Sequence, residues 1–329
     1  MTNDVEVQAD DVEDIGEIEV RDTSSFGEGD SAYYDSDDGA SSTQSVTSSI
    51  YQYEVAHGRT YHAYHAGKYI FPNDADEQER TDIMYHAVRL SMGNRLFFAP
   101  VEPTCVLDIG TGTGLWAIEM ADAYPAAEVY GTDLSPIQPS YVPPNLTFEI
   151  ADADEDWTWR TMFDLVHTRI MNDMTLRNWP HFFDEALKVL KPGGWVECQE
   201  FSYTRRTDDN TLPEDSVLTK WEELWTEGIS KTGIGGHCNP DLVVQQMRNA
   251  GFENVTRLNF KLPIGPWPKD PMLREAGEFG RANLVYGAYG LSVKLFTELL
   301  GWSVEELEVL LAHCRKELNR KDIHGYWPM

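Results

Sequence analysis

The residues best suited to chemistry are three acids, Asp108, Asp133 and Asp152, each at the end of a short apolar run. The first opens a turn, Asp108-Ile109-Gly110-Thr111-Gly112-Thr113-Gly114. Glycines at alternate positions let a backbone bend sharply and approach a ligand without interference from Cβ atoms. Turns of this kind also cradle dinucleotide phosphates, so the glycines by themselves leave the ligand open. Two residues discriminate. The dinucleotide pattern needs its third glycine at position 115, where this chain has Leu115. Asp108 is a poor neighbour for pyrophosphate and a natural one for a cationic amine. S-adenosylmethionine carries that amine and lacks phosphate. Asp133 follows Gly114 by nineteen residues, at a second strand end, and is placed to accept from both ribose hydroxyls. Asp152 follows a third strand and is placed for the adenine amino group. The expected cofactor contacts are Asp108, Gly110, Thr111, Gly112, Gly114, Asp133, Leu134, Asp152 and Ala153.

Those acids need a parallel sheet to bring them together. Strands are expected at Cys105–Asp108, Glu128–Asp133, Leu146–Ile150, Phe163–His167 and Trp195–Glu200, with helices over 115–124 and 179–190 between them. The alternation argues for an α/β, mostly parallel, doubly wound sheet. Helical spacing of apolar residues begins at Asp74 and runs to Phe98. After the fifth strand come a helical insertion over 202–238, a helix started by Asn239-Pro240 and ended by Gly251, a strand over 255–264, and helix over 272–300. Ser303 and Glu306 have capping-box spacing for a last helix over 304–319. The chain thus divides into an acidic tail, 1–48, expected to be disordered, and one domain, 49–329. In that domain 51–100 form an N-terminal lid, and 202–238 and 272–300 lie on the substrate side.

The formal charge is −29, and residues 1–50 carry −13 of it, with fourteen acids against Arg21. Such a tail buries too little apolar area to offset its ordering entropy. An acidic body repels phosphate backbones, so direct nucleic-acid binding is disfavoured. No apolar run reaches the roughly 20 residues that cross a bilayer, and the acidic start lacks the order of a secretory signal. An intracellular protein is expected. The cysteines, Cys105, Cys198, Cys238 and Cys314, lie far apart, which argues for free thiols and against a metal site or disulfide framework.

The chain resembles the fungal LaeA-like methyltransferases over about 51–327. The likeness rests on Val106 through Ile118, on Gly131-Thr132-Asp133-Leu134-Ser135-Pro136-Ile137-Gln138-Pro139, on Leu190-Lys191-Pro192-Gly193-Gly194-Trp195, and on Pro263-Ile264-Gly265-Pro266-Trp267-Pro268. It implies a Rossmann-like class I fold, adenosylmethionine binding, and a nuclear or cytoplasmic role in regulating secondary metabolism or development, with velvet-type or other protein partners. Where the family reads Glu-Asn-Gly-Arg-Arg, this chain reads Glu54-Val55-Ala56-His57-Gly58-Arg59-Thr60. The family's last antiparallel strand is expected to be short or missing here.

Methyl transfer from a sulfonium is an in-line displacement whose leaving group needs no proton, so alignment and desolvation carry much of it. A base is needed only when the acceptor must lose a proton early. His167, at the end of the fourth strand, is the candidate base, with a cofactor contact or a structural histidine as its other readings. Arg169 and Glu200 are candidate substrate contacts, and each reads equally well as a structural ion pair. Tyr53, Arg59 and Tyr61 are candidates for a lid over the cofactor, with Arg59 near its carboxylate, and read equally well as ordinary packing of the first helix. Trp221, Trp225, Trp267 and Trp302 are expected in the core. The segment Thr168-Arg169-Ile170-Met171-Asn172 lacks the Asn/Asp-Pro-Pro-aromatic signature of base amino-methylation, and the absence of Pro-Cys excludes C5-cytosine chemistry. Three readings remain: a regulatory methyltransferase, a natural-product methyltransferase, and a cofactor-binding subunit without catalysis.

Overall fold

Apolar runs with no polar alternation persist only where both faces of a strand are covered. The computed structural model, which describes residues 12–14, 16–20, 51–172, 174–233 and 239–329, places such runs at the centre of the molecule. The strands are β1 (Val12–Asp14), β2 (Glu54–Ala56), β3 (Arg59–Tyr61), β4 (Cys105–Ile109), β5 (Glu128–Asp133), β6 (Leu146–Ile150), β7 (Phe163–Arg169), β8 (Leu190–Gln199), β9 (Arg257–Asn259), β10 (Lys261–Pro263) and β11 (Tyr326–Pro328). The helices are α1 (Ala75–Ser91), α2 (Leu115–Ala123), α3 (Trp179–Val189), α4 (Val217–Lys231), α5 (Pro240–Ala250), α6 (Pro271–Lys294) and α7 (Val304–Leu318). Beyond α6, Leu295–Leu299 continue as a π-helical turn.

Five strands form one sheet in the order β6-β5-β4-β7-β8, every pair parallel. All five residues of β4 are buried. The order reverses between β4 and β7, and ligands of such sheets bind where that reversal opens a crevice at the carboxyl ends. On one face Trp116 and Met120 of α2 pack with Tyr85 of α1 against Val106 and Leu165. On the other, Phe182 and Phe183 of α3 cover Leu107 and Val166, with Val243 and Met247 of α5 behind them.

A separate core joins α1, α4, α6 and α7 around Trp221, Trp225 and Trp327. Indole N–H groups need partners when buried. Trp221 donates to Ser292 Oγ at 2.8 Å, and Trp225 to the Leu291 carbonyl at 3.0 Å. The expected caps are present. Asn239 accepts from the amides of Asp241 and Leu242, and Ser303 and Glu306 exchange both capping-box bonds.

Five expectations change. β8 begins at Leu190, five residues before the expected Trp195, so that Lys191-Pro192-Gly193-Gly194 lies within the strand. The strand over 255–264 is broken at Phe260 into β9 and β10. β11 ends outside the five-stranded sheet: it pairs antiparallel with β10, and its Tyr326 bridges Arg206 in the segment that leaves β8. The last strand is therefore short and displaced. Within the tail, β1 pairs parallel with β9, Glu19 bonds Lys269 through both backbone and side chain, and Val20 bridges Pro268. Apart from 12–14 and 16–20, residues 1–48 lie outside the described residues. Of the expected substrate-side insertions, the described residues 202–233 and 272–300 are mainly core builders, contributing Tyr203 and Asn283 to the cavity described below.

Small residues let α6 sink into this core. A Cβ at Gly277 would overlap the Gly265 carbonyl oxygen, and one at Gly280 the Pro263 carbonyl. The Gly265 amide donates to Gly277 O at 2.9 Å across this contact. Alanine gains about 1 kcal/mol over glycine in a helix, but overpacking against fixed backbone costs about 1–3 kcal/mol. Gly277→Ala is expected to lower stability by about 1 kcal/mol in urea unfolding. An unchanged or raised midpoint would contradict the close approach.

Candidate active site

The glycine turn between β4 and α2 is held from two sides. The amides of Gly110 and Thr111 both donate to the Thr132 carbonyl at 2.9 Å, tying the turn to β5. Gln138 Nε2 donates to Gly112 O at 2.7 Å and Ser135 O at 3.0 Å, bracing it against the loop beyond β5. From above, Thr113 Oγ1 donates to Asp82 of α1 at 2.6 Å. Gly110 and Gly114 have φ of 71° and 88°, a region that L side chains rarely enter. A Cβ at Gly114 would also strike the Phe148 ring.

The turn, the ends of β4, β5 and β7, and α1 enclose one cavity, with Lys68, Tyr69, Tyr203 and Asn283 completing its wall. Asp108, Gly110, Thr111, Gly112, Asp133, Leu134, Asp152, Ala153, His167 and Arg169 all line it. The fold therefore gathers ten of the fourteen sequence candidates at one place and leaves out Gly114, Tyr53, Arg59 and Glu200.

Asp133 accepts from the amides of Gly112 (Oδ2) and Ser135 (Oδ1), each at 2.9 Å. A carboxylate has about four acceptor positions, so lone pairs remain for a diol. Burial pushes its carboxyl up to about 6, against the pull of those two amides and with a further push from Asp108. Asp108 is buried, bonded by His167 Nδ1 at Oδ1 and by Thr111 Oγ1 at Oδ2, both at 2.7 Å. The turn, the acids and the buried Asp108 fit an aminoacyl nucleoside: an acceptor for its ammonium, a pair of oxygens for its sugar, and a cradle that Cβ atoms would fill.

Several expected roles shift. Asp152 is engaged by Lys68 Nζ, by His65 Nδ1 at 2.7 Å and by the Asp154 amide at 2.9 Å. Burial raises its pKa, but the Lys68 and His65 bonds outweigh it and hold the carboxyl below the usual range. Asp152 thereby ties the loop beyond β6 to the N-terminal segment. His65, Asp152 and Glu155 bring ligand atoms within 4.8 Å of one another, but the Lys68 ammonium sits on Asp152 and repels a cation.

His167 is wholly buried, and its ring stacks on Trp116 at 3.7 Å between centroids. Glu200 accepts from the amides of Met171 and Asn172, each at 3.0 Å, and so pins the loop after β7 rather than facing the cavity. Arg59 pairs with Asp74 through two bonds of 2.5 and 2.6 Å, and neither it nor Tyr53 lines the cavity.

Sequence reasoning missed Lys68, Gln138 and the Glu77-Arg80-Asn283 set. Arg80 donates to Glu77 Oε1 at 2.8 Å and to Asn283 Oδ1 at 2.7 Å, linking the cavity roof to α6. Only their helical spacing was visible, and that marks a face without naming its partner. Because the charged form of Asp133 is the better acceptor, affinity for adenosylmethionine is expected to fall as pH drops through about 6. The slope approaches tenfold per pH unit, and Asp133→Asn should flatten it. A wild-type affinity constant from pH 8 to 5 in calorimetry would contradict the assignment.

The comparisons agree with this geometry. A methyltransferase-domain family model matches residues 83–257. Methyltransferase pytC of Aspergillus terreus is 43% identical over 288 residues, covering 87% of this chain and 88% of that protein. Secondary metabolism regulator LAE1 of Cochliobolus heterostrophus is 34% identical, covering 83% and 91%. Protein-methionine methyltransferase laeA of Emericella nidulans is 32% identical, covering 84% and 74%. With a matching domain over half the chain, these relatives and a cavity built around the glycine turn, the chain belongs to the LaeA-like S-adenosylmethionine-dependent methyltransferases.

Proposed function

We propose that this methyltransferase regulates secondary metabolism or development as part of a protein complex, in the nucleus or cytoplasm. The relative named as a secondary metabolism regulator carries this reading, since it aligns over more than four fifths of the chain. The acidic composition of the N-terminal segment supports it, as a match for a basic partner surface. No helix among the described residues is long and apolar enough to cross a membrane.

Adenosylmethionine, when bound, supplies an activated methyl group on sulfur. The chain's own residues bind, align and exclude water. Asp133 would hold the ribose and Asp108 the ammonium, with Leu134 and Ala153 along the nucleoside. Met84, Met171 and Met174 give the cavity an apolar side, which strengthens every charge interaction inside it. His167 acts as a positioning residue, fixing the Asp108 carboxylate from behind through a ring that Trp116 holds flat.

A second reading has its own support. The relative of 43% identity is named a methyltransferase and not a regulator, and a cavity with methionine and tyrosine walls suits a small acceptor such as a natural product. Deletion of the gene in its source organism separates the two. The regulatory reading expects altered levels of several unrelated metabolites, together with protein partners recovered on the tagged full chain. Loss of a single methylated product, with its unmethylated precursor accumulating and no partner recovered, would establish the biosynthetic reading instead.

A further inference from the structure

Asp108 answers only half of an aminoacyl group, because adenosylmethionine carries a carboxylate beside its ammonium. The cation expected to meet that carboxylate, Arg59, is consumed by Asp74. Lys68 is held by Asp152 and Asp154, and Arg80 by Glu77, Asn283 and Thr81.

Arg169 differs. It closes β7 two residues beyond His167, on the same strand face, and lines the cavity with Asp108 and Tyr85. Its Nε donates to Gln199 Oε1 at 2.8 Å, which fixes the plane of the guanidinium. The Tyr85 ring supports it, with Cζ 5.1 Å from the ring centroid. Both terminal nitrogens, Nη1 and Nη2, are shielded from solvent and have no hydrogen-bond partner among the described residues. Burying a charged fork with its donors unmatched is costly. Burial accordingly lowers its pKa, while Tyr85 and Asp108 pull it back up. A planar fork with two free ends matches a carboxylate in bidentate geometry.

We propose that Arg169 is the carboxylate receptor of the cavity, taking the aminoacyl carboxylate of the cofactor while Asp108 takes its ammonium. The proposal rests on the adenosylmethionine reading of this site. Its consequence is selectivity: the pair Asp108 and Arg169 recognises a zwitterion and discriminates against nucleosides that lack either charge.

The test is calorimetry on the full chain with three probes: S-adenosylhomocysteine, its decarboxylated analogue, and 5′-methylthioadenosine. Wild type should bind S-adenosylhomocysteine at least tenfold more tightly than either of the others. Arg169→Gln should lose roughly ten- to a hundredfold toward S-adenosylhomocysteine and stay within about twofold toward 5′-methylthioadenosine, which cannot reach the fork. Arg169→Lys should recover part of the loss, as a point charge without the bidentate fit.

Equal losses toward all three probes would show Arg169 acting only through Gln199 and β8, and would overturn the proposal. So would an unchanged affinity of Arg169→Gln for S-adenosylhomocysteine, which would leave the fork to an acidic acceptor. Should Arg169→Gln fail to fold, the wild-type comparison of S-adenosylhomocysteine with its decarboxylated analogue decides, since equal affinities deny any carboxylate receptor. If wild type binds none of the three, the cofactor reading itself falls.

Discussion

The hydrogen bond from the Gly112 amide to Asp133 joins two pieces of chain that meet only because β4 and β5 lie side by side. Asp133 is the last residue of β5, and Gly112 is the middle glycine of the turn that follows β4. The bond orients the carboxylate and satisfies an amide that the left-handed turn would otherwise leave without a partner. It needs the register Ile109 to Thr132 and the close approach that Gly131 permits beside Phe148. A one-residue slip of β5 would turn Asp133 to the other face and dismantle the cradle.

Electrostatics then assigns roles to acids of the same type. Asp133 is half-buried among amide donors and beside a neighbouring negative charge, so its ionisation is costly until a ligand supplies further donors. Asp152 is buried with a lysine and a histidine, so its charge is already spent on holding the N-terminal segment in place. Asp108 is gripped by His167 and Thr111, which fixes its direction. The N-terminal segment thereby becomes part of the site: α1 roofs the cavity, Asp82 reaches down to Thr113, and Lys68 closes the far end.

The parallel sheet was legible because each strand is a dense apolar run bounded by glycine, proline or an acid, and because the acids recur at strand ends. β5 and β6 were bounded correctly to the residue, and α3 and α5 to within one. The glycine turn and Asp133 were legible for the same reason: local sequence carries the backbone constraint. Contacts set by tertiary packing were hidden. Nothing near Arg59 announces Asp74 as its partner, and Glu200 looks free until the loop after β7 folds back onto it. The break at Phe260, and the escape of β11 to a separate pair, follow from where α6 packs, which depends on glycines that read locally as poor helix formers.

The claim on which the account turns is that the Asp133 carboxylate grips the ribose diol of the cofactor. A thermodynamic cycle isolates that contact: wild type and Asp133→Asn, each titrated with S-adenosylhomocysteine and with its 2′,3′-dideoxy analogue. The account predicts that removing the hydroxyls costs wild type heavily and the variant little, with a coupling of about 1.5–3 kcal/mol, as for hydrogen bonds to a charged group. Purely additive losses would contradict it and place the sugar somewhere else.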